Sequence, residues 1–320
     1  MPIIGTLGNS SARGYGGLRT FAPVGLPGIA GYSSGGTYDT TVNVYLTRID
    51  KLVYSGESLS NLAATLSGAP GRSSAEFANS NVAGYQAGGF NGATGGSVSV
   101  INKLTFSNDA NSSIAATLSI VRGENYGVAN TGTAGYVGGG YSTGGSVDST
   151  DKLTFSNDSR STLGSTFSEI ARNDNGAANG TTEGYFYGNP PGATPLRVFK
   201  LVFSTDTFSN NSTSLAQQVN GAAANYGVSA YLLSNSTQNI YVHIFSGNTI
   251  SSIAATITGS TDGSTGTSSN KGIAAYTYGG NNPLSTPIRK IVYATDVFST
   301  ITPTLPGIVG YNSSYSNDGA

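Results

Sequence analysis

The chain is predicted to be all-β, a six-bladed β-propeller with four antiparallel strands per blade. Three observations predict it: a repeat of about 50 residues, two-residue alternation inside each copy, and no amphipathic 3.6-residue period sustained over three turns. Four landmarks recur in fixed order. A small residue precedes Tyr, usually with Gly-Gly three residues on: Tyr32, Tyr85, Tyr136, Tyr185, Tyr231 and Tyr276, spaced by 53, 51, 49, 46 and 45 residues. A short alternating run follows, beginning at Lys51, Lys103, Lys152, Lys200, Val242 and Lys290 (KLVYS, KLTFS, KLTFS, KLVFS, VHIFS, KIVYA). A second apolar run comes next, AATLS from Ala63 and from Ala115 being the clearest copies. An arginine, at Arg19, Arg72, Arg122 and Arg172, leads the first four tyrosines.

Each element of a copy has a physical reason. In Lys103-Leu-Thr-Phe-Ser, Leu104 and Phe106 fall on one face of a strand and Lys103 and Thr105 on the other. β-branched and aromatic residues fill the runs, while Gly, Asn, Asp and Ser fill the gaps, as strands and turns respectively prefer. The third copy has room for four strands, expected around 127–130, 135–139, 149–156 and 163–168. Such sheets, repeated at this period, are propeller blades.

The ends of the chain decide how the ring closes. Residues 310–320 occupy the place of another first strand, whereas 20–30 contain Pro23 and Pro27, which would break a central ladder. The C-terminal segment is therefore expected to supply the innermost strand of the blade whose other strands lie near 31–67. That leaves 1–30 as an N-terminal docking arm and 31–320 as the propeller.

The repeat resembles kelch repeats on Arg122, Tyr136, Gly139-Gly140, Phe155 and Phe167, although the kelch Trp is absent throughout and Gly-Gly is eroded in copies four and five. The GY…GG…KLTFS repeats, with the leader NSSARGYGG, are also similar to structural proteins of tailed bacteriophages, particularly marine and cyanobacterial phages. That resemblance implies a virion location, a tail, fibre or capsid-associated role, and other virion structural proteins as partners.

Composition narrows the chemistry. With no Cys, disulfides, thiol nucleophiles and Cys-type metal sites are excluded, and one His makes a catalytic triad or a multi-His metal site unexpected. A formal charge of −1 offers no footprint for nucleic acid, and no run approaches 18 apolar residues, so no membrane insertion is expected. Only 10% of residues are charged, yet 19 Tyr and 12 Phe argue against disorder. The opening residues lack a basic segment followed by an apolar core, so no Sec export is expected. No cofactor and no metal are expected, Asn108-Asp109 and Asn157-Asp158 supplying too few ligands for calcium.

Single residues have structural readings. The landmark tyrosines should pack between blades with the hydroxyl on a backbone partner, and Tyr54, Phe106, Phe155, Phe203, Phe245 and Tyr293 should be core. His243 takes the position of Leu52, Leu104, Leu153, Leu201 and Ile291, which makes it a core imidazole rather than a general base. The lysine column should lay its stems on apolar surface with wet heads. Glu57, Asp109, Asp158, Asp206 and Asp296 should cap turns, and the arginines should donate to loop carbonyls.

The variable loops near Gly-Gly carry the binding prospects: Tyr38, Phe90, Asn91, Tyr141, Tyr187 with Pro190-Pro191, Tyr278, and Asn281-Asn282 form the candidate rim for a receptor, host glycan or protein partner. No convergent set of acids and bases marks an enzyme. The expectation is a non-enzymatic virion structural protein, with a secreted carbohydrate-binding propeller as the alternative and an intracellular kelch adaptor behind it.

Overall fold

The computed structural model describes residues 29–317 except 40–43, 69, 73, 92–94, 168–171, 190–195, 216–218, 226, 235–237, 258–265, 271, 282–283 and 310–311. The segment expected to be a docking arm thus lies almost wholly outside the described residues, and the first blade strand begins at Ala30. No helix occurs among the described residues.

Six four-stranded antiparallel sheets form a six-bladed β-propeller. From channel to rim, blade 1 comprises Ser313–Ser316, Ala30–Ser34, Arg48–Val53 and Ser58–Thr65. Blade 2 comprises Ala75–Asn79, Ala83–Ala87, Val100–Thr105 and Ala110–Thr117; blade 3, Tyr126–Asn130, Ala134–Gly138, Thr150–Thr154 and Ser159–Thr162. Blade 4 comprises Arg172–Asn179, Glu183–Asn189, Leu196–Val202 and Thr207–Leu215; blade 5, Val219–Asn225, Ser229–Ser234, Asn239–Ile244 and Thr249–Thr256. Blade 6 comprises Gly266–Asn270, Ala274–Asn281, Leu284–Val292 and Val297–Val309.

The ring closes as the prolines required. Ser313–Ser316 pairs antiparallel with Ala30–Ser34, Tyr315 opposite Tyr32. Asn317 locks the joint: its Oδ1 accepts from Ile29 N at 3.0 Å and Ala30 N at 3.1 Å, and its own N–H donates to Ala30 O at 3.0 Å.

Size matching between blades explains the Gly of the Gly-Tyr landmark. A Cβ on Gly84 would lie 1.9 Å from the Tyr315 ring, on Gly135 2.1 Å from Phe77, and on Gly184 2.4 Å from Val128. In each case the intruder belongs to the inner strand of the preceding blade. Where blade 4 offers only Ala178 opposite Tyr185, blade 5 carries Ala230, and the two alanines share one core cluster. At these seams a large side chain meets Gly and Ala meets Ala; Gly31 instead lies against Ser268 Oγ and the hydroxyls of Tyr54 and Tyr278.

The outer strand starts earlier than the sequence suggested: in blade 3 it spans Ser159–Thr162, and Phe167 is core without being in the strand. A tight turn is the reason. Asp109, Asp158, Asp206 and Asp296 adopt left-handed φ of 52–54°, so the chain reverses within four residues and pairs at once, Thr105 opposite Ala110. The Asn before the acid caps this turn, as Asn108 Oδ1 does for Ala110 N at 3.1 Å.

Gly88 and Gly89 reverse the chain after the second strand at φ 70° and 105°, values that exclude most side chains. Gly89 N donates to Arg122 O at 2.8 Å. Arg122 is fully buried and donates to Gly139 O, Ser149 O and Asp151 Oδ2, so the expected loop-carbonyl role holds and gains a buried ion partner. In blade 6, which lacks the leading arginine, Arg289 on the third strand donates to the equivalent Gly279 O at 2.8 Å.

Candidate functional site

Burial removes Phe90, Tyr187 and Tyr278 from the candidate rim. Tyr187 and Tyr278 are 1% and 0% exposed. Both lie two residues beyond a landmark tyrosine in the same strand, and a period of two returns them to the interior face. Tyr187 donates to, or accepts from, His243 Nδ1 at 2.9 Å, and Tyr278 bonds Ser268 Oγ at 2.7 Å. Phe90 does follow Gly-Gly, but its ring lies over Gly123, where a Cβ would come within 2.4 Å of it. Asn91 and Tyr141 remain half-buried at the rim. The side chains of Tyr38 and Asn281, and residues 190–191 and 282, lie outside what is described.

His243 is fully buried, and both ring nitrogens are engaged, Nδ1 by Tyr187 and Nε2 by Asn248 Oδ1 at 3.0 Å. Burial pushes its pKa below the ordinary histidine value. Placed so, it cannot reach a substrate proton.

The landmark tyrosines build the blade seams, in a form the sequence reading did not reach. Each packs on the aromatic that follows the third strand of the next blade: Tyr32 on Phe106, Tyr85 on Phe155, Tyr136 on Phe203, Tyr185 on Phe245 and Tyr276 on Tyr54 are stacked, and Tyr231 on Tyr293 is tilted by 34°, with centroids 4.3–5.3 Å apart. At five of the six seams the hydroxyl meets a carboxylate, and that of Tyr231 also reaches the expected kind of backbone partner, Tyr293 O at 3.4 Å. Tyr32 donates to Asp109 at 3.0 Å, Tyr85 to Asp158 at 2.9 Å, Tyr136 to Asp206 at 2.8 Å, Tyr231 to Asp296 at 2.7 Å and Tyr276 to Glu57 at 3.2 Å.

At four seams the lysine directly across the strand pair from the tyrosine completes the clasp; Tyr231 has Val242 across from it instead. Lys51, Lys103, Lys152 and Lys290 reach the same four acids, Asp109, Asp158, Asp206 and Glu57, at 2.5–2.7 Å. Each ammonium also lies 5.5–5.7 Å from the ring centroid of its tyrosine. These four lysine heads are therefore paired, and the acids that receive them bridge blades instead of capping their own turns. Burial first, then the adjoining carboxylate, pushes the phenols of Tyr32, Tyr85, Tyr136 and Tyr276 far above their ordinary pKa, so they remain donors.

A second pattern, missed in the sequence, surrounds one mouth of the channel. Every inner strand ends in or runs into asparagine: Asn79, Asn130, Asn179, Asn225, Asn270 and Asn317. Asn79 Oδ1 accepts from Gly132 N at 3.0 Å in the next blade, and Asn179 Oδ1 accepts from Ala129 N at 2.8 Å in the preceding one. The dipeptides Ala-Asn at 78–79, 129–130, 178–179 and 224–225 were the available signal.

Beside that channel sits Glu76. The register places Ser314, Gly127, Ala177, Ala222 and Thr267 at its position in the other blades, all small. Its Oε1 accepts from Ser34 Oγ at 2.8 Å, while Oε2 is buried without a partner. Burial holds this carboxyl well above the ordinary range.

On the same mouth, Ile29, Val82 and Ile273 are exposed by 63%, 52% and 39%. They are equivalent residues of blades 1, 2 and 6, whose carbonyls accept from Tyr54 N, Phe106 N and Tyr293 N. Val297, 52% exposed, joins them at the outer turn of blade 6. Three adjacent blades thus share an apolar arc on the face that carries Ile29, the first described residue.

Among the described residues no group of three or more His, Cys, Asp or Glu could hold a metal, and no helix is long and apolar enough to cross a membrane. No protein-family model matches the chain, and no curated protein matches it significantly. The class is defined by the fold: a six-bladed β-propeller, a shape compatible with a binding or protein-interaction role.

Proposed function

We propose that this protein is a non-enzymatic structural disc of a tailed-phage particle, docking on a neighbouring virion subunit through the channel mouth that carries Ile29, Val82, Ile273 and Val297. The observation that supports this reading most is the apolar arc: Ile29, Val82, Ile273 and Val297, four of the six exposed large aliphatic side chains among the described residues, lie on one face of a charge-poor disc, which suits an interface with another protein; Ile120 and Val121 are the other two. The repeat and leader resemblance to phage structural proteins supplies the particle context, and the sealed histidine suits a passive part.

The test is particle incorporation. Deleting residues 1–18 should leave the Tm of the isolated disc unchanged while removing the chain from purified particles. V82S and I273S together should weaken incorporation in the same way. A chain that is never found in particles overturns the reading.

A carbohydrate-binding propeller is the second reading, favoured by half-buried Asn91 and Tyr141 near the opposite mouth. A glycan array on the purified disc distinguishes it: retained glycan, lost in Y141A, supports a lectin.

A further inference from the structure

The strand that closes the ring is gripped by a relay of side chains that begins at Glu76. Ser34, Ser74, Gln86 and Ser313 are all buried where blades 1 and 2 meet. Ser34 Oγ lies 2.8 Å from Glu76 Oε1 and 3.2 Å from Gln86 Oε1. Gln86 Nε2 donates to Ser74 Oγ at 2.5 Å, and Ser74 Oγ bonds Ser313 Oγ at 3.1 Å. Ser313 Oγ donates to Ser74 O, also at 3.1 Å. Ser313 belongs to the closing strand and stands opposite Ser34 in its ladder. The inner strands of blades 2–6 run directly into their second strands, whereas Ser313–Ser316 is held to Ala30–Ser34 by noncovalent bonds alone.

Counting protons shows which state of Glu76 this relay accommodates. Ser74 Oγ accepts from Gln86, so its own proton goes to Ser313, whose proton goes to Ser74 O. Ser34 has one proton and two acceptors within reach. With Glu76 as a carboxylic acid, its hydroxyl donates to Ser34 Oγ, Ser34 donates to Gln86 Oε1, and every donor of the relay is used once. With Glu76 as a carboxylate, Ser34 turns to it and Gln86 Oε1 loses that donor, while a charge stays buried with Oε2 unpartnered. Among the described residues no basic side chain bonds Glu76. The phenols of Tyr315, on the closing strand, and Tyr278, in blade 6, both feel its charge, together with Asp109 at Tyr315 and Asp50 at Tyr278. The strands of blades 2 and 3 packed against Ala75–Asn79 add only the phenols of Tyr85, Tyr126 and Tyr136. The surroundings thus offer neutral phenols and further acids, and no counter-ion.

We propose that Glu76 is a proton-operated latch on ring closure: its protonated carboxyl completes the relay that holds Ser313, and loss of the proton lets the closing strand open at lower cost. The closing strand yields first because it alone can part from its blade without breaking a covalent turn. The device does not depend on which particle or surface the disc serves.

Hydrogen exchange of backbone amides in the full chain tests this from pH 4.5 to 8, each rate being corrected for intrinsic exchange at that pH. The Asn317 amide, which donates to Ala30 O, and its neighbours in 313–316 should be less protected than the slowest amides of blades 3–5, which marks a local opening. Their protection should fall by up to about tenfold per pH unit from pH 4.5 through the folded pKa of Glu76 and then level off, because the closed state holds the extra proton. His243, in blade 5, acts in the opposite sense and leaves this slope distinct. E76Q, which cannot ionise, should abolish the pH dependence; a Tm at pH 7 no lower than that of the unmodified chain shows that it folds. Protection at 313–317 that equals the slowest amides at every pH, or that does not change with pH, overturns the proposal without recourse to a variant. A slope that persists unaltered in E76Q overturns it as well.

Discussion

The hydroxyl of Tyr276, in the last blade, donates to Glu57 of the first at 3.2 Å, and Lys290 pairs with the same carboxylate. The junction between chain ends is thus built twice, once by strand pairing near the channel and once by a side-chain clasp farther out. The second layer is the same device that joins blades 1, 2, 3 and 4, so the ring is stitched uniformly where covalent continuity is lacking.

The clasps should be measurable as coupling energies. A double-mutant cycle of K103M and D158N, read by denaturant unfolding, should give a coupling of about 0.5–1 kcal/mol, weakened by 0.5 M salt, because the pair is partly exposed. Y85F should add about 1 kcal/mol of destabilisation by leaving Asp158 without its phenol donor.

Blade spacing should depend on the small residue before each tyrosine. G84A would drive a Cβ to 1.9 Å from the Tyr315 ring and should destabilise by about 2–3 kcal/mol. G56A, with nothing within 4 Å of its new methyl and no left-handed φ, should change stability by less than about 0.5 kcal/mol. Thermal melts of the two variants side by side check the contrast.

Two buried groups should give opposite pH dependences. Glu76 has a raised folded pKa, so the folded state binds the extra proton. Its contribution is harmless below the ordinary value of 4.5 and destabilising as pH rises from there through the folded value. E76Q should therefore raise the Tm at pH 7 and flatten this limb. His243 has a lowered folded pKa, so the unfolded state binds the extra proton. Stability should fall as pH drops from about 6.5 toward the folded value, and H243L should remove that slope. A Tm series from pH 4 to 8 on the three proteins resolves both limbs.

The ring and its closure were readable in the sequence because repeats align: six tyrosines and two prolines suffice for blade number and for which end supplies the inner strand. The stacking partners were visible as an aromatic column. What sequence order hides is the neighbour across a seam. Asp109 is six residues from Lys103 but pairs with Lys51, 58 residues away, so local reasoning assigned it to its own turn. Tyr187 and Tyr278 were misplaced because a strand that outlasts its neighbours looks like the beginning of a loop. Their alternation with Tyr185 and Tyr276 was the clue that they faced inward.

The strand pair that closes the disc also fixes how it answers to force. Ala30 and Ser316 lie at the same end of an antiparallel pair only four residues long. Tension applied between the two chain ends would peel that pair apart one rung at a time instead of shearing its rungs together. Anchorage through one terminus spares the joint, whereas pulling on both would open the circle at low load.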